Sequence, residues 1–380
     1  MTGKTKINSW NEWDPLKHVI VGIPDGAMIA APEPAAITGP EIGKPPDFWC
    51  PLPDDLVAKA RVEMDNFAAI LEERGARVDR LSPLVLNQKV QTPDWEQDSM
   101  FSLMPPRDFL LPVGNEIIEA TMSQRSRWFE FIAYRDLLEQ YFREDPNFLW
   151  SAAPKPRLTD DLYVEGFWEE IAEIEKNNPA EMVERTKRHQ FSRTEVRPVW
   201  DAADALRLGK DIFIQMSMLT NKAGIDWLRR HLEPRGLRVH QVTFECPHPW
   251  HMDTTIFFPR AGTMFQNPNW LPVEPEFNEL LRKNDWEIVH CAPAGRTKSH
   301  ERCYYSVYLA YNVLSIDPKT ICVEAAEKPL MEQLDQYGFE VIPVDFFEVS
   351  PFGGGLHCAT VDIFREGDCE DYFPKQIKGF

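Results

Sequence analysis

One pattern recurs five times along this chain and leaves few folds open: a helical segment, a stop, then a short apolar strand. Residues 54–74 carry apolar side chains at helical spacing (Leu56, Ala60, Met64, Phe67, Leu71), Gly75 ends the run, and 77–81 reads as a strand. The same order returns at 221–234 with Gly236 and strand 237–244. It returns again at 275–283 with Asn284-Asp285 and strand 286–291, and at 328–337 with Gly338 and strand 339–344. A looser copy is the aromatic helix expected over 123–143, followed by strand 147–150. A glycine after a helix adopts the left-handed conformation that closes the last turn, so these stops carry structural meaning. The units predict an α/β chain, read here as a single domain over 1–380. They fit one closed repeating architecture and, equally, an ordinary doubly wound sheet, because their spacing is irregular and their side chains do not repeat. Two stretches fall outside the pattern. Residues 24–53, rich in Pro, Ala and Gly, read as an ordered loop or lid. Residues 154–196, charged and proline-bearing, read as an insertion that is helical mainly over 164–188.

Charge and cysteine usage narrow the function classes. The net charge of −19, from 60 acids against 41 bases, argues against nucleic acid or an anionic membrane as the main partner. The seven cysteines, at 50, 246, 291, 303, 322, 358 and 369, are odd in number, irregularly spaced and free of any CxxC. That predicts neither a disulfide framework nor a zinc site, and a reducing compartment. The N-terminal residues 1–8 are polar and show no signal- or transit-peptide character, and no run approaches the ~20 apolar residues of a membrane span. A soluble cytoplasmic protein is expected.

The chemistry concentrates in a few places. Gly353-Gly354-Gly355-Leu356-His357-Cys358 presents a thiol where a flexible loop gives way to a strand. Taken alone, such a cysteine is more often buried and inert than nucleophilic. His251 lies in Cys246-Pro247-His248-Pro249-Trp250-His251-Met252-Asp253, and on a strand His251 and Asp253 would share a face. His248 is a weaker candidate in the same loop. Asp201, before Ala202-Ala203-Asp204, and Asp98, in Gln97-Asp98-Ser99, fit a site carboxylate or an ordinary cap or turn residue. His357 adjoins Cys358, and on a strand the two would point to opposite faces, which makes His357 a poor partner for the thiolate. No phosphate loop, dinucleotide fingerprint or zinc signature is present. One Cys, one His and three or four carboxylates suit covalent catalysis at a cationic carbon: the carboxylates grip a guanidinium, the thiolate attacks its carbon and the imidazole moves protons.

From Asn11-Glu12-Trp13-Asp14-Pro15-Leu16, through Val113-Gly114-Asn115-Glu116-Ile117-Ile118-Glu119-Ala120, Asp201-Ala202-Ala203-Asp204 and Leu219-Thr220-Asn221, to Gly353–Cys358, the chain resembles the arginine:glycine amidinotransferases. The resemblance implies the five-bladed α/β-propeller (pentein-type) of the guanidine-modifying superfamily, with pseudo-fivefold modules. It places the nucleophile on Cys358, the general acid/base on His251, the carboxylate orienting that His on Asp201, and the guanidinium-binding acids on Asp98 and Asp253. It implies ping-pong transfer from L-arginine to an amine acceptor with release of L-ornithine, no cofactor, no metal, and a homodimer as the candidate assembly. Trp270, in Asn267-Pro268-Asn269-Trp270, stands where glycine-using members carry an arginine that grips the substrate carboxylate. Of a serine pair near the substrate only Ser306 carries over, after Tyr305, and His248 and Trp250 replace the residues before the catalytic His. The acceptor is therefore expected to be a larger amine than glycine, as in the members that serve saxitoxin and other natural-product pathways. Arg296 and Arg302, in a later loop, are the candidate substitute anchors for the carboxylate of arginine. Competing readings are an arginine deiminase-type hydrolase of the same fold and, from another class, a Cys-His acyl-transfer enzyme. The second leaves the carboxylates unexplained.

Overall fold

Helix α1 (Asp54–Glu73) shows how each unit is built; the computed structural model describes residues 6–29, 31–35, 49–296, 300 and 307–380. Asp54 and Asp55 sit in its first turn, where carboxylates complement the helix dipole. Leu56, Ala60, Met64, Phe67 and Leu71 form its buried stripe. Gly75, at φ +89°, then turns the chain into the strand Arg77–Arg80, which runs parallel to Leu16–Val21. A helical crossover is what a parallel pair requires.

Five three-stranded sheets repeat this plan among the described residues, beside two short two-stranded pairs. In four of them a strand turns back on itself, and a helix then carries the chain to a parallel third strand. Leu110–Val113 pairs antiparallel with Glu116–Glu119, and α2 (Arg135–Glu144) leads to Leu149–Ala152. Ala205–Leu208 pairs with Asp211–Gln215, and α5 (Lys222–Leu232) leads to Arg238–Val242. Ile256–Arg260 and Thr263–Gln266 are followed by α6 (Pro275–Lys283) and Glu287–His290, and Leu314–Asp317 and Thr320–Glu324 by α7 (Lys328–Gln336) and Glu340–Val344. The fifth sheet joins the chain's two ends: Thr360–Arg365 pairs antiparallel with Leu16–Val21. The α/β class expected from the helix–stop–strand pattern is what the chain adopts.

Two features differ from expectation. The aromatic helix expected over 123–143 is α-helical only in α2 and is preceded by the 3-10 turns Arg125–Arg127 and Glu130–Tyr134. Its start is pulled apart by competing bonds: the Arg125 and Ser126 N–H groups donate to distant Glu33, and Arg127 binds Asp108 as well as nearby Glu130. The strand that follows is displaced toward the C-terminus. The segment 154–196 holds two helices, α3 (Phe167–Asn177) and α4 (Ala180–Lys187). It packs on the 246–251 loop, with Thr186 Oγ1 donating to the Cys246 carbonyl at 2.8 Å. No helix among the described residues is long and apolar enough to cross a membrane.

A buried ionic cluster ties the sheets together. Asp362 receives Arg107 at 2.6 Å, Arg365 at 2.7 Å and Arg207 at 2.9 Å, and Arg207 also holds Glu12 at 2.8 Å. The three arginines and Asp362 are each at most 2% exposed. Arg207 reaches the carbonyl of Pro112 in one neighbouring sheet, and Arg365 that of Ser315 in another. Burial opposes the charge on Asp362, but Arg107, Arg365 and Arg207 hold its carboxyl well below the usual range. Removing one partner of such a group strands the others in a dry interior. The substitution Asp362→Asn is therefore expected to cost about 3–5 kcal/mol, read as a fall in the urea unfolding midpoint. An unchanged midpoint would contradict the role given to this cluster.

Candidate active site

The first strand of each sheet is entered through a tight turn, and these turns supply the site. Pro106–Asp108 precedes Leu110, Ala202–Asp204 precedes Ala205, Met252–Thr254 precedes Ile256, and Val307–Tyr311 precedes Leu314. The turn 356–359 precedes Thr360. Asp108, Asp201, Asp253, Asn312 and Cys358 sit in or beside these five turns. His251 thus caps a 3-10 turn and Asp253 lies within it, so the two do not share a strand face, although both still reach the site.

Cys358 is 2% exposed. Gly354 has φ +155°, and a Cβ there would lie 2.4 Å from Cys358 Cβ and 2.7 Å from its sulfur. A glycine is required where the backbone passes this close to the thiol. Asn312 braces the turn: its Oδ1 accepts the Cys358 N–H at 3.0 Å, and its Nδ2 donates to the Asp253 carbonyl at 3.2 Å.

Three buried carboxylates face this thiol and His251. Asp253 Oδ2 receives the Cys358 thiol at 3.4 Å and His357 Nδ1 at 2.7 Å. His357 Nε2 lies 3.3 Å from Glu12. Because 356–359 is a turn and not a strand, His357 and Cys358 reach the same carboxylate; the histidine contacts Asp253, not the sulfur. His251 Nε2 lies 3.4 Å from Asp201 Oδ2, and its Nδ1 lies 3.6 Å from Asp108 Oδ1. Asp108 Oδ2 is held by Arg127 at 2.6 Å. Asp204 is satisfied by Gln215, Ser217 and Thr220, and its pKa rises to about 7, mainly through burial.

One oxygen on each of Asp108, Asp201 and Asp253 (Oδ1 in every case) is buried without a hydrogen bond. Buried carboxylate oxygens are rarely left so, and together they suit a ligand rich in N–H donors and positively charged. The same charges set the proton affinities. Burial works against a charged His251, yet Asp108, Asp201 and Asp204 outweigh it and raise the pKa to about 10. Burial first, then Asp253 and Asp108, pushes the Cys358 thiol well above its ordinary range.

The other expected site residues lie elsewhere. Asp98 is a correction: its side chain is 54% exposed, 3.7 Å from Lys89, and no bond joins it to the cluster, where Asp108 stands beside His251. Asp108 had a signal in the sequence, a carboxylate just before an apolar strand run, the position also held by Asp201 and Asp253. His248 is buried against Glu175 of α3. Trp250 packs on the hydrophobic core, and Trp270 is 7% exposed among Phe244, Cys246 and Met252. Arg296 pairs with Glu324 at 2.8 Å and lines a recess with Asn312, Gly354 and Gly355. Ser306, Tyr305 and Arg302 lie outside the described residues.

Comparison with known proteins gives concordant relatives. A family model described as arginine deiminase matches residues 247–365. The chain is 37% identical over 370 residues to the mitochondrial glycine amidinotransferase of Gallus gallus, covering 96% of this chain and 84% of that one. It is 38% identical over 368 residues to the L-arginine:L-lysine amidinotransferase of Pseudomonas savastanoi pv. phaseolicola, covering 96% of each. Among solved structures, SxtG, an amidinotransferase of the saxitoxin biosynthetic pathway from Microseira wollei, superposes with a TM-score of 0.83 at 36% identity, covering 97% of this chain and 99% of that one.

The raised thiol affinity has a direct readout. Thiolate is scarce below the thiol's pKa, so alkylation of Cys358 by iodoacetamide is expected to be slow at neutral pH. Its rate should still be climbing above pH 9, the ordinary thiol value. Gly354→Ala is expected to leave the circular dichroism spectrum unchanged and to slow that alkylation by about tenfold or more. A rate that levels off near pH 7 would refute the electrostatic reading.

Proposed function

Since the chain belongs to the amidinotransferase family, we propose that it carries the amidino group of L-arginine on Cys358 to an amine acceptor and releases L-ornithine. The observation that carries this reading is the set of three unbonded carboxylate oxygens, on Asp108, Asp201 and Asp253, around one thiol and one imidazole. A guanidinium presents five N–H donors in a plane and one positive charge, which is what that set lacks.

Binding of the cation offsets the charges of Asp253 and Asp108, the two carboxylates that raise the thiol, and so favours the thiolate, whose proton leaves to solvent because His251 already carries its own. The sulfur attacks the guanidinium carbon, and the S–C bond forms as a π pair moves onto nitrogen. The bond from that carbon to the δ-nitrogen of ornithine then breaks, and the nitrogen takes a proton from His251. An amidino-cysteine and a neutral imidazole remain. The acceptor amine gives its proton to His251, attacks the amidino carbon and expels the thiolate. His251, with its pKa near 10, matches the amines on both sides, because alkylamines also titrate near about 10. Each proton transfer is then close to balanced, and the ring is recharged by the second half-reaction.

The relatives support arginine as donor and variety in the acceptor: two are named for glycine and for arginine and lysine, and a third for a saxitoxin pathway. Trp270 supplies no fork for a carboxylate, and we read the acceptor as an amine larger than glycine. Hydrolysis is the second reading, favoured by the arginine deiminase model over 247–365; water would take the place of the amine. For the scaffold, we read the five sheets as blades of a single five-bladed propeller. Their shared strand order and the N- to C-terminal pairing support this. We read 154–196 as an insertion bracing the His251 loop; of the lid expected over 24–53, residues 30 and 36–48 lie outside the described residues.

With arginine and a panel of glycine, lysine and larger primary amines, ornithine is expected in step with guanidinylated amine, with glycine the poorest acceptor. Citrulline and ammonia from arginine alone would mark the hydrolase. Asp108→Asn is expected to lower kcat/KM for ornithine release by about 30- to 1,000-fold, the loss typical of one partner of a buried charged pair. Asp98→Asn should stay within about twofold, as an exposed charge. The reverse order would return the guanidinium to Asp98.

A further inference from the structure

We infer that His357 is a positioning residue: clamped between Glu12 and Asp253, it decides which oxygen of Asp253 faces the sulfur and which is left for substrate. This rests on the reading of Cys358 and Asp253 given above. His357 is 7% exposed, with Nδ1 2.7 Å from Asp253 Oδ2 and Nε2 3.3 Å from Glu12 Oε2. Carboxylate oxygens only accept, so both ring nitrogens donate and the ring is an imidazolium. Glu12 is itself immobilised, with Arg207 on both of its oxygens at 2.9 and 2.8 Å. A continuous line of charged hydrogen bonds therefore runs from Arg207 through Glu12 and His357 to Asp253, ending beside the thiol.

This line does two things at Asp253. A carboxylate held by one contact is free to rotate and present either oxygen. Here the imidazolium occupies Oδ2, which also receives the thiol at 3.4 Å, and leaves Oδ1 without a bond. The substrate's N–H groups thus meet an oxygen already aimed. The imidazolium also places a positive charge on the carboxylate nearest the sulfur and offsets part of its field. The groups facing the ring are Asp253, Glu12 and Arg107; those acting on the thiol are Asp253 and Asp108, with the Gly355 backbone. Burial and Arg107 oppose the charged ring, and Asp253 and Glu12 outweigh them, so its proton affinity lies above that of a free histidine. His357 does not touch the reacting atoms; it acts through Asp253.

The test uses the full chain with His357→Asn and His357→Ala, and needs no acceptor. One readout is the arginine concentration that half-saturates single-turnover ornithine release. The other is the pH profile of Cys358 alkylation by iodoacetamide. Asn keeps an N–H near the Nδ1 position, so its arginine constant should stay within about threefold, while Ala should raise that constant about tenfold or more. Both substitutions remove the positive charge, so both should move the alkylation profile up by about one pH unit. A merely structural histidine would lower the melting temperature of the Ala variant and leave the profile of the folded Asn variant where it was. That result overturns the inference, as does an unchanged arginine constant in His357→Ala. If the wild type itself releases no ornithine from arginine, the functional reading fails instead, and the alkylation profile still decides the part played by His357.

Discussion

The contact of Asp362 with Arg107, Arg207 and Arg365 is the constraint on which the rest of this structure depends. Each of the five sheets is small and bends back on itself, so nothing within a sheet orients it to the next. The buried arginines do that: Arg207 bonds into the sheet of Pro112 and Arg365 into that of Ser315, while both hold Asp362. Taking so many charges out of water is costly unless every donor and acceptor is met. The cluster is met on nearly all sides, and it joins the sheets of Asp362, Pro112 and Ser315 through directed bonds that an apolar core does not make.

The site inherits that precision. Its residues lie in the turns that enter the first strand of each sheet, so fixing the sheets fixes the distances between Asp108, Asp201, Asp253, Asn312 and Cys358. The line Arg207–Glu12–His357–Asp253 carries the constraint to the carboxylate beside the Cys358 thiol. What the site then holds is buried carboxylate charge facing the sulfur and His251. Both departures from ordinary proton affinity follow from this: burial, with Asp253 and Asp108, holds a proton on the sulfur, and Asp108, Asp201 and Asp204 outweigh burial to hold a second on His251. An arriving cation offsets the field on the sulfur, which, on the reading proposed above, couples recognition of a guanidinium to formation of the thiolate. A neutral molecule would leave the thiol protonated and unreactive.

Much of the fold was legible because it is written in local terms. The helices at 54–74 and 328–337 are amphipathic over several turns, and Gly75 and Gly338 end them with positive φ. The helix expected over 123–143 was not legible, because Arg127 and the N–H groups of Arg125 and Ser126 bond to Asp108 and Glu33, far away in sequence. Within the site, Cys358 announced itself through three glycines, one of which touches its side chain. His251 and Asp201 were marked by resemblance. Asp98 and Asp108 could not be told apart by residue type, since what separates them is burial against Arg127 and His251. The role of His357 was hidden for a geometric reason: alternation rules hold on strands, and 356–359 is a turn. Asn312 carries no sequence signal of chemistry at all, and its importance lies in two hydrogen bonds between different sheets.

The central claim is that Cys358 carries the transferred group. Intact-protein mass spectrometry after brief exposure to L-arginine without acceptor, followed by acid quench and peptide mapping, tests it most directly. The expected result is a mass increase of one amidino group confined to the peptide bearing Cys358, absent in Cys358→Ala and discharged on addition of an acceptor amine. An unmodified Cys358 in enzyme that is turning over, or the added mass on another residue, would contradict it.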